Sequence, residues 1–241
     1  MTRRAVLRTF VATGVGAVAG FGAYGYLDER HRLTVLREDV PMLGLPPALA
    51  GLRVGFLIDI HRSRWVPHDD VVHAVARLMD ERPDLIILGG DYVTDRDRQY
   101  MEPSAEALRP LSAAHGVYSI LGNHDDDHDM PAALTARGVQ VLKDARTRVT
   151  IRGEAIDLVG IRYWTKRASD IAAIAHGATG FVILLAHDPR RLTVAAAMKV
   201  PLVLSGPRTA DRSSCRWRAQ WRLRNFLSSP ASAAATRRRC S

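Results

Sequence analysis

Short apolar runs alternate with amphipathic segments between residues 50 and 206. The runs are rich in Val, Ile and Leu and end at Gly or a polar residue, which is typical of strands buried on both faces. After Pro67, apolar residues recur at helical spacing at Val71, Val75 and Leu78, which predicts a helix that starts there. Strand and helix patterns that alternate in this way indicate the α/β class. The predicted strands are residues 52–58, 85–88, 117–121, 141–142, 149–151, 156–161, 181–185 and 200–204, and further helices are predicted at 104–111 and 131–137.

Polar residues follow the ends of five predicted strands. They are Asp59, Asp91, Asn123, His187 and the Ser205-Gly206 pair. A single residue of this kind is most simply a helix cap or a turn residue. Because the carboxyl ends of strands converge at one edge of an α/β sheet, the ordered set instead predicts a site at that edge.

The residue types in this set are metal ligands. Asp59 and His61 lie two positions apart and share one side of a strand end. Asp91 can bridge two cations, Asn123 offers a neutral oxygen and His187 a nitrogen. Oxygen and nitrogen donors without a thiolate fit two ions of Mn, Fe or Zn. Two such ions, about 3.5–4 Å apart, hold a phosphoryl group and generate a hydroxide.

His124 directly follows Asn123 and need not be a ligand itself. An imidazole beside a phosphoryl site can protonate the leaving alkoxide, so His124 is the candidate catalytic residue. Trp65, four residues after His61, is expected to pack in the core or at the rim, and a lipid or base pocket is the other interpretation.

Four motifs resemble those of the calcineurin-like metallophosphoesterases over roughly residues 50–206. Asp59-Ile60-His61, Gly90-Asp91, Gly122-Asn123-His124-Asp125 and Ala186-His187 match the family's D-x-H, G-D, G-N-H-[DE] and lone His in order. The resemblance implies a four-layer α/β/β/α sandwich. It also implies a first metal bound by Asp59, His61 and Asp91, a second bound by Asp91, Asn123 and His187, and His124 as general acid.

Within that family the chain is most similar to twin-arginine-exported bacterial phosphoesterases and to relatives that cleave UDP-2,3-diacylglucosamine in lipid A biosynthesis. The implied function is a metal-dependent phosphoester hydrolase, more a phosphodiesterase or pyrophosphatase than a protein phosphatase. Its implied substrate is a small-molecule or lipid phosphoester, including a nucleotide-sugar ester.

The family's fifth signature, S-G-H-x-H-G-G-Q, is missing after Ser205-Gly206. The chain continues Pro207-Arg208, and no His follows up to Ser241. If residues 206–215 are encoded GGC CCA CGC ACG GCG GAC AGG TCA AGC TGC, one A inserted after the fourth base restores Gly-His-Thr-His-Gly-Gly-Gln-Val-Lys-Leu. A single-nucleotide deletion is therefore our hypothesis for this segment.

This loss has consequences for the domain and its activity. Each metal loses one imidazole, so weaker metal binding and impaired activity are expected. The metallophosphoesterase domain is assigned to residues 33–206 and is expected to be incomplete at its C-terminal end. Residues 207–241 are expected to be a basic, disordered tail. A catalytically inactive remnant of such an enzyme is the alternative function.

The N-terminus is interpreted as a targeting segment. Arg3-Arg4 precede an uncharged run from Thr9 to Leu27 that is rich in Gly and Ala, which resembles a twin-arginine signal. The twin-arginine export machinery would then be a partner, with the protein in the periplasm or cell envelope. The run is also about long enough to span a bilayer, so residues 1–32 are either that signal or an anchor in the cytoplasmic membrane.

The net charge of +9 does not indicate a nucleic-acid partner. Residues 1–32 hold five Arg against two acids, and residues 207–241 hold nine Arg against one Asp. The folded body between them is slightly acidic, so no basic groove is expected and no nucleic acid is predicted as a partner. With two cysteines, a disulfide framework is excluded as well.

Overall fold

Ten strands form two sheets in the part of the chain that the structure describes. The computed structural model describes residues 35–42 and 44–206, together with the backbone of 221–225. The strands are β1 Glu38–Met42, β2 Arg53–Leu57, β3 Leu85–Leu88, β4 Val117–Ser119, β5 Gln140–Val141, β6 Ala145–Ile151, β7 Glu154–Ile161, β8 Phe181–Ala186, β9 Leu202–Ser205 and β10 Trp221–Asn225. One sheet has the order β1-β10-β2-β3-β4-β5 and the other β6-β7-β8-β9.

Five α-helices accompany the strands in the described residues. They are α1 His68–Asp80, α2 Met101–Leu108, α3 Asp129–Thr135, α4 Ala168–Ala175 and α5 Leu192–Ala197. Short 3₁₀ turns occur at Pro47–Leu49, Arg98–Tyr100 and Pro189–Arg191. Pro67 is the cap of α1, and Asp69 and Asp70 lie in its first turn, where acidic side chains favour the helix dipole.

The main core lies between the two sheets. Because strand side chains alternate between faces, Val54 and Phe56 of β2 point inward, where they share one cluster with Ile183 and Leu185 of β8. Burying each of these large apolar side chains contributes about 1.5–3 kcal/mol. The cluster is therefore what holds the two sheets face to face.

Helices cover the outer faces of both sheets. Leu184 and Ala186 of β8 point outward and cluster with Ile171 of α4 and Ala195 of α5. On the other sheet, a Cβ placed on Gly55 of β2 would lie 2.9 Å from Leu78 Cδ1 of α1, so that helix packs closely on the outer face. The predicted four-layer α/β/β/α sandwich is confirmed.

Strand direction brings the predicted site residues to one edge. Strands β2 to β5 are parallel in the larger sheet, and β7 to β9 are parallel in the smaller one. The carboxyl ends of β2, β3, β4 and β8 therefore carry the loops that hold the candidate ligands. Near this edge Gly160 of β7 lets the sheets approach, since a Cβ there would lie 2.3 Å from Leu142 Cβ.

Several elements differ from the prediction for physical reasons. β6 begins at Ala145 rather than residue 149, because its first half alternates Arg and Thr and has no apolar run. α2 begins at Met101 instead of residue 104. β1, α4 and α5 were not predicted. β1 contains Pro41, and the two helices are short and rich in Ala.

The two terminal predictions fall largely outside the described residues. Residues 1–32, interpreted as signal or anchor, are not among them, and the described helices include none with the length and apolar character to cross a membrane. In the tail, Trp221–Asn225 form β10, which pairs parallel with β1 and antiparallel with β2. These five residues are thus placed in a sheet, and disorder stays a prediction for the rest of 207–241.

Asp157 of β7 should be a stability determinant with a pH signature. Its buried carboxylate accepts hydrogen bonds from Arg146, Arg148 and the amides of Thr179 and Gly180. Burial would raise the pKa of Asp157, but the guanidinium groups and amides outweigh it and lower that pKa to about 2. We expect Asp157→Asn to reduce the free energy of unfolding at pH 7 by about 2–3 kcal/mol.

The sign of the pH dependence follows from this lowered pKa. The stabilisation is complete above the ordinary carboxyl value of 3.8 and is lost as the pH falls toward 2. Urea unfolding between pH 7 and pH 2.5 should therefore show the wild-type advantage shrinking below pH 4. Asp170→Asn, which removes one exposed pair with Arg167, is the control and should change stability by less than about 1 kcal/mol. A constant gap between wild type and Asp157→Asn at all pH values would contradict the assignment.

Candidate metal centre

The Asp91 carboxylate is the meeting point of three loops. Asp91 follows β3 and is 3% exposed. Its Oδ1 accepts the backbone N–H of His124 at 2.9 Å. Its Oδ2 lies 3.4 Å from His61 Nε2 and 3.2 Å from His187 Nε2. One carboxylate thus contacts groups that follow β2, β4 and β8, which come from both sheets.

Two groups of candidate ligands share this carboxylate. Asp59, Asp91 and His187 form one group, and His61, Asp91 and His124 form the other. Within each group the donor atoms all lie within 4.8 Å of one another. The geometry therefore assembles five of the six predicted site residues around a shared oxygen donor, as two adjacent cations require.

Asn123, the sixth predicted site residue, is half-buried in the loop after β4. Its neighbours Gly122 and His124 donate their amides to the carboxylates of Asp125 and Asp91. The loop therefore holds the backbone of Asn123 at the same edge as the other residues. Its role as a ligand stays a prediction, as do the other four ligand assignments and the catalytic role of His124.

The buried His187 is oriented as a metal-binding imidazole would be. Its Nδ1 lies 2.8 Å from the Gly89 carbonyl oxygen, so Nδ1 carries the proton and donates it. This leaves Nε2 facing Asp91 and Asp59, whose Oδ1 is 3.8 Å away. A second hydrogen bond that fixes the ring and its tautomer is the usual arrangement for metal-binding histidines.

The electrostatics of the cluster favour a bound cation. Burial would lower the pKa of His187, but the hydrogen bond and charge of Asp91, together with Asp59, raise it to about 9. For His61 burial dominates over the same carboxylates, and its pKa lies below the ordinary value. Burial would raise the pKa of Asp91, yet His187 keeps it low. The pocket is thus negative and imidazole-lined, and this donor set fits Mn, Fe or Zn.

Asp125 is a positioning residue whose contacts the sequence alone did not reveal. Its buried carboxylate accepts the amides of Asp91, Tyr92 and Gly122 at 2.7–2.8 Å. Burial, with the charge of Asp91 next, raises the pKa of Asp125 to about 6, although the three amides act against the increase. Asp125 therefore ties the loop after β3 to the loop after β4 and positions Asp91. Its place in the G-N-H-[DE] motif was the available signal.

Backbone strain is concentrated in these loops. Asp59, His61 and Asp91 have φ values of 58°, 49° and 57°, a region that costs a non-glycine residue about 1–3 kcal/mol. Backbone hydrogen bonds hold them there: His61 N–H donates to the Asp91 carbonyl at 2.8 Å, and Asp59 N–H donates to that of Gly90 at 3.1 Å. These hydrogen bonds between neighbouring loops fix the backbone conformation of the three residues. Their side chains converge as a result.

His124 is held by Asp95, which the sequence analysis did not single out. The Asp95 amide donates to His124 Nδ1 at 3.0 Å, and Asp95 Oδ1 lies 3.0 Å from the same nitrogen. The rings of His124 and His61 meet edge to face at 4.9 Å between centroids. The imidazole of His124 is therefore oriented beside the candidate ligands.

Trp65 does not lie in the core. It is 54% exposed, with the Arg64 guanidinium 4.4 Å from its ring centroid. Arg62 donates to the carbonyls of Ser63 and Val66 and lies over the Tyr100 ring. The loop after His61 is thus stabilised by its own carbonyl groups and by the Tyr100 ring, and more than half of the Trp65 surface is exposed.

The family assignment agrees with this geometry. The sequence model of the calcineurin-like phosphoesterase family matches residues 52–191, from the start of β2 to the turn after β8. This match covers more than half of the chain, and the chain therefore belongs to the calcineurin-like phosphoesterase family. The members of this family are typically dinuclear-metal enzymes, which is what the two donor groups around Asp91 accommodate.

Three curated proteins illustrate the relationship. Phosphodiesterase YaeI of Escherichia coli is 29% identical over 172 residues, which are 66% of this chain and 60% of YaeI. A transmembrane protein with metallophosphoesterase domain from Danio rerio is 28% identical over 222 residues, 84% of this chain and 49% of that protein. The uncharacterized metallophosphoesterase YkuE of Bacillus subtilis is 26% identical over 217 residues, 86% of this chain and 76% of YkuE. The chain spans about half to three fifths of the first two.

Gly122 should be essential for the position of Asp91. A Cβ on Gly122 would lie 2.0 Å from Asp91 Oδ1 and 2.7 Å from its amide nitrogen. We expect Gly122→Ala to displace that carboxylate and to weaken Mn²⁺ binding by at least about tenfold. Calorimetric titration of the purified chain with Mn²⁺ measures the change.

Gly138→Ala is the matched control for this variant. Gly138 has no heavy atom within 4 Å of an added Cβ, but its φ is +83°. The substitution should therefore reduce stability by about 1 kcal/mol without changing Mn²⁺ affinity. Equal Mn²⁺ affinity in Gly122→Ala and wild type would contradict the role assigned to Gly122.

Proposed function

We propose that this chain is a metal-dependent phosphodiester hydrolase. The observation that carries the proposal is the Asp91 carboxylate, which contacts both His61 and His187 and belongs to both donor groups. In this proposal Asp59, His61 and Asp91 hold one ion, and Asp91, Asn123 and His187 hold the other. When bound, two cations neutralise the charge on a phosphoryl group and activate a water molecule.

His124 supplies the proton in this proposal. In the unprotonated imidazole Nδ1 accepts the Asp95 amide. In the protonated form, which acts as the acid, Nδ1–H donates instead to Asp95 Oδ1, 3.0 Å away, and the opposite nitrogen offers its proton to the leaving oxygen. The Asp91 carboxylate accepts the backbone N–H of His124 and so fixes the backbone of this residue. General-acid assistance of this kind contributes about 10²–10⁴-fold to the rate.

We also propose that the segment after Gly206 is out of frame. The Gly206 amide donates to the His187 carbonyl at 3.0 Å, and a Cβ on Gly206 would lie 3.9 Å from Asp59 Oδ2. Gly206 therefore lies at the metal centre, and the restored frame has His as the next residue in the sequence. This supports the deletion hypothesis and, for the chain as it stands, reduced activity; an inactive remnant is the alternative function.

The setting and substrate of the enzyme are also proposals. The paired Arg3-Arg4 and the uncharged run after them support twin-arginine export to the cell envelope or an anchor in the membrane. The resemblance of the four motifs supports a lipid or nucleotide-sugar phosphoester as substrate, such as UDP-2,3-diacylglucosamine in lipid A biosynthesis. Release of UMP from that compound by the Mn²⁺-loaded protein would test this choice.

Mn²⁺-dependent hydrolysis of bis-p-nitrophenyl phosphate tests the central proposal. We expect activity in the chain as it stands, and an increase of at least about tenfold when the reading frame is restored, because each ion regains an imidazole. In the restored protein, Asp91→Asn should abolish Mn²⁺ binding and turnover. His124→Gln should lower kcat by about 10²-fold or more with Mn²⁺ binding retained.

Asp170→Asn is the control for these charge changes, since the side-chain partners of Asp170 among the described residues are Arg167 and Ser169, at the start of α4. It should leave Mn²⁺ affinity and kcat unchanged. Full turnover by Asp91→Asn would refute the metal centre. Turnover in the restored protein but none in the present chain would assign the inactive-remnant alternative to the present chain.

A further inference from the structure

A pocket of about 140 Å³ opens beside the metal centre. Three loops line it: Arg96 after β3, residues 121, 122 and 125–127 after β4, and residues 162–164 after β7. Gly122 and Asp125, which position Asp91, belong to its wall. A group bound in this pocket would therefore be adjacent to a phosphoryl group held at Asp91.

Aromatic rings lead from this pocket to a candidate ligand. Trp164 is 56% exposed and meets the Tyr163 ring edge to face at 4.8 Å between centroids. The Tyr163 ring in turn lies 6.0 Å from that of His187. The indole of Trp164 thus has an edge contact with Tyr163, and Lys166 Nζ lies 5.6 Å from its ring centroid. More than half of its surface still faces solvent at the mouth of the pocket, which is the arrangement of a stacking platform.

The two arginines of the pocket differ in their ion pairs. Arg162 is bonded to Asp144 and lies 3.5 Å from Asp127, so its charge is neutralised within the wall. Arg96 is exposed and makes no ion pair with any described residue within 4 Å. One cation of the pocket is therefore available for an anionic ligand.

The backbone holds Arg96 at this place. Its amide donates to the His124 carbonyl at 2.9 Å. Asp95 and Arg96 have consecutive φ values of 50° and 57°. Two strained non-glycine residues in succession persist only where the surroundings enforce them, and such strain is concentrated at functional sites.

We propose that this pocket binds a planar aromatic group of the phosphoester substrate, stacked on Trp164, while Arg96 contacts an oxygen of the phosphoryl group. This inference rests on the proposed function and names the substrate class of the same site. A cavity of about 150 Å³ holds one benzene molecule, so this pocket fits a single aromatic ring and not a long acyl chain. An aryl group or a pyrimidine base has the required size and a face for stacking.

Two phosphonates that cannot be hydrolysed at the P–C bond test the proposal. Phenylphosphonate and methylphosphonate carry the same anionic head, and only the first carries a ring. Each is titrated calorimetrically into the full chain saturated with Mn²⁺. We expect phenylphosphonate to bind about five- to tenfold more tightly, because stacking on one aromatic side chain has about that effect in a half-open site.

Variants assign the preference to its residues. Trp164→Ala should bring the ratio of the two affinities to about one, and Trp164→Phe should retain most of it. Trp65→Ala is the matched control, since Trp65 is 54% exposed and does not line the pocket; it should leave the ratio unchanged. Arg96→Gln should weaken both phosphonates by a similar factor, about threefold or more.

Each outcome separates this inference from the proposed function. Equal affinities in the wild type, or a ratio that survives Trp164→Ala, would overturn the aromatic subsite and leave the metal centre standing. Unchanged binding of both compounds by Arg96→Gln would overturn the role of Arg96. If neither phosphonate binds to the Mn²⁺-saturated chain, the proposed function fails together with this inference.

Discussion

The buried carboxylate of Asp91 is the constraint on which the candidate site depends. A carboxylate this far from water is unfavourable unless charged or hydrogen-bonding partners surround it. Here His61 and His187 face one oxygen and the His124 amide binds the other. These partners follow different strands, so satisfying this one carboxylate brings the loops of both sheets together.

The supports around Asp91 explain the unusual backbone near it. Asp125 receives three amides from the loops after β3 and β4, which over-determines their conformation. Gly122 has no side chain because the Asp91 carboxylate occupies that space. The left-handed backbone at Asp59 and Asp91 is then maintained by contacts that are worth more than its strain. Part of the stabilisation from these contacts therefore offsets the backbone strain, and the charged groups keep a fixed geometry.

The sequence predicted the parts of this arrangement that depend on local pattern. Apolar runs gave the positions of β3 and β8, and with them the location of Asp91 and His187 at strand ends. The roles of Asp95 and Asp125 could not be derived in the same way, because they act through contacts with residues about 30 positions away. β6 was predicted too short because Arg146 and Arg148 in its first half interrupt the apolar pattern. Both arginines pair with the Asp157 carboxylate on β7.

Both sheets contribute residues to the candidate site at their common edge. Loops after β2, β3 and β4 supply most of the candidate ligands and His124, and these loops are tied to one another by backbone hydrogen bonds. The smaller sheet supplies His187, whose ring is fixed by Gly89 of the other sheet, and the Tyr163-Trp164 pair after β7. Residues 162–164 line the pocket, and the contact of this stretch with a candidate ligand is the ring contact of Tyr163 with His187. Their sequence can therefore change the shape of the pocket while the geometry around Asp91 persists, as expected where a rigid scaffold carries variable loops.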